Sequence, residues 1–121
     1  MSAADALDIE VEGDVVVARL RGEIDLANAR PIGSLVTGAV PNEAAGVVLD
    51  LSGVTYLDSS GVHLVFELSE RLASRQQRLA LVVPENARIR RVLDLVNVRA
   101  VLPVRTTAAE GVEAVRSGTA G

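Results

Sequence analysis

The 121 residues contain no cysteine, which excludes a disulfide framework and a thiolate metal site. With His63 as the single histidine, an imidazole-rich metal centre is equally unsupported. Tryptophan is absent and the aromatics reduce to Tyr56 and Phe66, leaving no stacking platform for nucleic acid in a chain of net charge −4. No apolar run approaches the roughly 20 residues that cross a bilayer, the longest being stretches such as LALVV at 79–83. The opening MSAADALDIEVEG has neither the basic nor the apolar region of an export signal. Lysine is missing too: all twelve basic residues are arginine, a pattern that reflects GC-rich coding more than binding chemistry. These absences lead us to expect a cytoplasmic chain with no cofactor, no metal, no membrane association and no direct contact with nucleic acid.

What is present is aliphatic. Apolar residues make up 49% of the chain, drawn mainly from Val, Leu, Ala and Ile, and the β-branched share favours strands. The length suits one domain able to bury roughly two-thirds of its unfolded surface. A single domain over 1–121 is expected, with its core at about 7–116 and loose tails at 1–5 and 117–121. Charge is unevenly spread: residues 1–60 hold ten acids and three arginines, a balance of −7, and residues 61–121 hold six acids and nine arginines, +3.

LDIEVE at 7–12 alternates apolar with acidic residues, Gly13-Asp14 marks a turn, and VVVARL at 15–20 resumes, which predicts an opening hairpin. From Leu26 the positions Ala29, Ile32, Leu35, Val36 and Ala39 recur at helical spacing, predicting a helix over 26–39 with Asp25 or Asn28 as its cap. VVLDL at 47–51 reads as a central strand and 52–57 as a connector. A helix over 60–74 follows, its face formed by Val62, Val65, Phe66, Leu72 and Ala73, then the LALVV strand. Pro84 and Glu85 open a third helix that stops at Asn97, with Ile89, Val92, Leu93 and Val96 on one side and Arg88, Arg90 and Arg91 as a solvated basic cluster. Residues 100–104 suit an edge strand and 107–116 a closing helix. The order β-β-α-β-α-β-α-β-α predicts an α/β fold with a mixed sheet of four to five strands, about four helices and right-handed crossovers. Function should then sit on loops at the carboxyl end of the parallel strands, where Asp58-Ser59-Ser60-Gly61 falls.

Three chemistries suit that step. Asp58, Ser59 or Ser60 could cap the helix, with Gly61 exposing backbone. Ser59 could be a nucleophile with His63 one turn on as its base, but Leu57 occupies the first glycine position of the nucleophile elbow. Or a serine could be phosphorylated, where free N–H groups and the macrodipole tolerate negative charge.

GEID (22–25), VVLDLSGVTYLDSSGVHLV (47–65) and VPENARIRRVLDLVNV (83–98) resemble, in order and spacing, the STAS domain of bacterial anti-sigma factor antagonists of the spore-formation and stress-response type. The resemblance spans about residues 7–116, and LDSSG is its most specific part. It implies a STAS fold and a protein that is not an enzyme. Such a protein binds an anti-sigma factor, itself an ATP-dependent serine kinase, and so frees a sigma factor for transcription. The kinase phosphorylates the first serine after the aspartate, here Ser59, and a metal-dependent phosphatase reverses the modification. Glu23, Asp25, Asp58, Ser59, Ser60, Gly61 and His63 would form the partner-binding surface of a monomer or weak dimer. His63 stands where relatives commonly have a small residue, which would narrow the choice of partner. Val96-Asn97 replaces a usual Ser-Gly or Thr-Gly step. The alternative within the fold is a STAS subunit of a lipid-transport or signalling-scaffold complex, acting without phosphorylation.

Overall fold

Residues 2–118 are described in the computed structural model; Met1 and residues 119–121, parts of the two expected tails, lie outside them. Of the remaining tail residues, 2–5 form a turn in which Ala6 N–H donates to the carbonyls of Ser2 and Ala3, and Ser117 ends a helix.

The elements are β1 (Leu7–Glu12), β2 (Val15–Ile24), α1 (Ala29–Ala39), β3 (Gly46–Leu57), α2 (Ser59–Ser74), β4 (Arg78–Val82), α3 (Ile89–Leu95), a 3₁₀ turn (Val98–Ala100), β5 (Val104–Arg105) and α4 (Ala108–Ser117). They form one five-stranded sheet in the order β1-β2-β3-β4-β5. The β1–β2 hairpin is antiparallel and the other three pairings are parallel, so the sheet is mixed as the element order predicts.

Alternation along the strands divides the core in two. Val16, Ala18 and Leu20 of β2 join Val47, Leu49 and Leu51 of β3 on the face covered by α1, α2 and α3. Val15, Val17, Val48, Ala80 and Val82 point the other way and meet Val112 and Val115 of α4. Burial on both faces explains why VVLDL reads as a continuous apolar run.

Several boundaries differ from the sequence expectation. Residues 52–57 are not a connector: they continue β3, because β2 runs beside them as far as the Ile24↔Leu57 pair. That pairing survives two shifts of register, one of them after Gly22, whose φ of +78° suits glycine in an irregular strand. Helix α1 begins at Ala29 rather than 26, since Asp25–Asn28 form a hydrogen-bonded turn. The buried face of α2 is Gly61, Leu64, Val65, Leu68 and Leu72; Val62 and Phe66 are half-buried and Ala73 is exposed. Helix α3 starts at Ile89, five residues beyond Pro84, and only Ile89 and Leu93 of its expected face are buried. The last strand is Val104–Arg105, with a 3₁₀ turn at 98–100 instead. Asn97 does take the left-handed conformation expected of the stop, with φ 55°.

Candidate functional site

Parallel pairing brings the ends of β2 and β3 side by side, Glu23 opposite Tyr56 and Ile24 opposite Leu57. One residue on, Asp58 N–H donates to the Ile24 carbonyl at 3.3 Å. The GEID and LDSSG segments, which begin 35 residues apart, are thereby joined at one edge, the carboxyl end of the parallel strands.

Asp58 is the cap of α2. Its backbone is extended (φ −95°, ψ −171°) and its Oδ1 accepts the amides of Ser60 at 2.8 Å and Gly61 at 3.2 Å. The aspartate therefore satisfies the helix end, and Ser59, first residue of the helix, stays exposed. Gly61 does not serve to expose backbone as expected. It is buried, and the Cβ of any other residue would collide with Leu57 and crowd Ile24.

Asn28 holds the opposing corner. Buried to 4% exposure, it accepts Asp25 N–H through Oδ1 at 3.0 Å and donates through Nδ2 to the Glu23 carbonyl at 2.8 Å. Asp25 Oδ1 in turn accepts Ala27 N–H at 2.9 Å. The Asp25 and Asp58 carboxylates of the expected partner-binding surface are thus occupied with local backbone, while the Glu23 side chain is exposed.

Between α1 and α2 runs an open groove of ≈ 690 Å³. Ser59, Ser60 and His63 line it from α2, and Leu26 of the turn before α1 and Arg30 of its first turn face them. His63 is largely solvent-facing, and its Nε2 lies 3.0 Å from Glu67 Oε2. Glu67 Oε1 then meets Arg71 Nη2 at 2.6 Å. Of the seven expected partner-binding residues, Asp58 and Gly61 support the groove's rim from behind, and Glu23 and Asp25 sit at the adjoining strand ends outside its lining.

Sequence reasoning missed Leu26, Arg30 and Glu67 and offered Asn28 only as a helix cap; Asn28 does occupy the cap position of α1, but its side chain makes no capping hydrogen bond and serves the strand end instead. Leu26 falls in phase with the α1 stripe, so it reads as core; because the helix starts three residues later, it is instead 81% exposed at the groove. The basic cluster also divides: Arg88 and Arg91 are exposed, whereas Arg90 Nη2 donates to the Val83 carbonyl at 2.6 Å and Nε to that of Pro84, closing the end of β4. Among the described residues no group of three or more His, Asp or Glu is placed to hold a metal ion, and no helix is long and apolar enough to cross a membrane.

The family model described as the STAS domain matches residues 6–111, which contain every one of these site residues. The chain belongs to the STAS domain family. This STAS domain is 28% identical over 120 residues to the anti-sigma-F factor antagonist RsfB of Mycobacterium tuberculosis, covering 98% of this chain and 97% of that one. Its fold superimposes on the crystal structure of an anti-sigma factor antagonist from Mycobacterium paratuberculosis with TM-score 0.80 and 27% identity, over 96% of this chain and 99% of the other. The antagonist SpoIIAA is similar in both of its solved states. Its unphosphorylated form gives TM-score 0.75 at 25% identity over 94% and 99% of the two chains. The phosphorylated form, described as a Bacillus cell fate determinant, gives 0.68 at 26% over 92% and 100%. The mixed sheet, the opening hairpin and the four helices are accordingly those of the STAS fold.

Proposed function

We propose that this STAS domain is an anti-sigma factor antagonist, a binding switch in the cytoplasm rather than a catalyst. In the unmodified state the groove rim and the first turn of α2 dock an anti-sigma factor with ATP-dependent serine kinase activity, which releases its sigma factor. The kinase then transfers phosphate to Ser59 and the complex dissociates; a metal-dependent phosphatase restores the binding form.

The observation that carries this reading is the state of Ser59. It is the exposed first residue of α2, capping is already performed by Asp58, and it sits on the wall of an open groove beside the exposed Leu26. A phosphate there adds about −1.5 to −2 charge at pH 7. The dipole of the helix end stabilises that charge within the protein. A partner surface pressed over the same rim would have to strip that charge of its water, which costs several kcal/mol. Near full-length similarity to proteins named as anti-sigma factor antagonists supports the choice of partner.

The test is direct. The purified protein is incubated with ATP and each anti-sigma factor kinase of its source organism, and the product is mapped by phosphopeptide mass spectrometry. One phosphate on Ser59 is expected. Modification of Ser60 or Thr55 with Ser59 untouched would refute the assignment, and modification by no kinase would return the domain to the scaffold alternative.

A further inference from the structure

We propose that His63 is the counter-ion of phosphorylated Ser59, completing a ladder of alternating charge along α2. The inference rests on the phosphorylation switch proposed above and assigns the residue that regulates it.

Residues 59, 63, 67 and 71 follow one another at the interval of four that stacks side chains on one helix face. All four line the same groove. Two of the three rungs between them are already closed, His63 to Glu67 at 3.0 Å and Glu67 to Arg71 at 2.6 Å. Helical Cα–Cβ bonds tilt toward the N-terminus, so each side chain leans over the turn before its own. Glu67 accordingly reaches back to His63, and the same tilt lets His63 swing toward Ser59, the one member of the series without an ionisable side chain.

With His63 protonated, phosphate on Ser59 turns the series into minus, plus, minus, plus. The Ser59–His63 and Glu67–Arg71 pairs then both place the acid N-terminal to the base, the order that agrees with the helix dipole. The other charged groups near His63 favour this exchange of partner. Arg30, the single charged residue of α1, faces the groove from the opposite wall and adds positive potential. Glu67 retains Arg71 when His63 turns away. Asp58 directs its Oδ1 at the Ser60 and Gly61 amides.

An adjacent cation favours the dianion over the monoanion, so the phosphate keeps its second charge at a pH where an ordinary phosphoserine, with a second ionisation near 6, takes up a proton. His63 thereby extends partner release into mildly acidic conditions.

The experiment uses the full chain with phosphoserine genetically encoded at position 59, alongside the same protein carrying His63→Gln or His63→Lys. The second ionisation of the phosphate is followed by ³¹P NMR. The midpoint in the histidine protein should lie below that of His63→Gln by about 0.15 to 0.4 pH unit, the size expected from one i,i+4 ion pair. His63→Lys should restore the low midpoint. Equal midpoints in the histidine and glutamine proteins, or failure of lysine to restore the shift, would overturn the proposal. Because the phosphate is encoded, a kinase that ignores Ser59 counts against the functional reading alone, and equal midpoints count against the His63 pairing alone.

Discussion

Gly61 lies so close to Leu57 that the Cβ it lacks would stand 2.9 Å from Leu57 Cγ, and 3.3 Å from Ile24 Cγ2. This contact sets the first turn of α2 directly on the ends of β2 and β3. Replacing Gly61 with Ala improves helix propensity by about 1 kcal/mol, but overpacking costs about 1 to 3 kcal/mol. Leu57 is only 5% exposed and has little room to yield. We expect Gly61→Ala to lose about 1 kcal/mol in urea unfolding, and the loss to shrink in a Leu57→Val background. A variant as stable as the parent would show that the helix end is not held this way.

Removing the Asp58 carboxylate should expose the two amides that it serves. Asp58→Ala should cost about 0.5 to 2 kcal/mol, while Asp58→Asn, which keeps an acceptor, should recover most of it. Chemical denaturation of the three proteins decides the matter; an equal loss in both variants would mean that charge rather than capping is at stake.

Ser59→Asp should weaken partner binding less than phosphorylation does, since one charge replaces nearly two, and Ser59→Ala should bind and resist release. Phosphorylated and unmodified proteins should differ at least tenfold in affinity, about 1.4 kcal/mol, with nearly the same circular dichroism and melting temperature. Calorimetry that found Ser59→Asp binding as tightly as the parent would remove the main support for charge repulsion.

Asn28→Ala should destabilise the corner that presents the GEID segment. It strips one donor and one acceptor from two partly buried hydrogen bonds with the backbone, a loss of about 1 to 3 kcal/mol. Hydrogen exchange should accelerate at the Asp25 amide, which Asn28 Oδ1 accepts at 3.0 Å, while the β3–β4 pairing stays protected. Unchanged protection of that amide would contradict the clamp.

At the opposite end of the molecule, Arg116 Nε donates to Asp14 Oδ1 at 3.0 Å and its Nη2 donates to the Glu12 carbonyl. This hydrogen bond holds the Asp14 carboxyl below its ordinary value of 3.8. A carboxyl whose ionisation is depressed by folding contributes stability above its unfolded value and loses it as the pH falls through the folded one. Arg116→Gln should raise the Asp14 titration in carbon-detected NMR. Its stability deficit should be present at neutral pH and vanish well below pH 3.8. A deficit that persisted in strong acid would assign the effect to packing of the arginine stem.

The element order was legible because each strand and helix carries its own signal: alternation in LDIEVE, continuous burial in VVLDL and LALVV, and an asparagine stop at 97. The Asp-Ser-Ser-Gly step announced a helix start for the same local reason. What escaped was decided between elements. SGVTYL exposes Ser52, Gly53, Thr55 and Tyr56, so nothing in it reads as strand until β2 lies alongside. Leu26 keeps the helical phase of α1 and gives no sign that the helix begins after it. Arg90 resembles its exposed neighbours Arg88 and Arg91, and only the approach of the end of β4 supplies the carbonyls it binds. Gly61 was singled out for the wrong reason, since the Leu57 side chain that demands it comes from the strand behind.

Every strand of the sheet bonds to a strand adjacent in sequence, in the order β1-β2-β3-β4-β5. A chain threaded this way never inserts a strand between two that are already paired. As the polypeptide leaves the ribosome N-terminus first, each strand after β1 emerges with a pairing partner already synthesised. The edge left behind is β1, whose Asp8, Glu10 and Glu12 discourage a second nascent chain from adding there. Synthesis and spatial strand order run in the same direction.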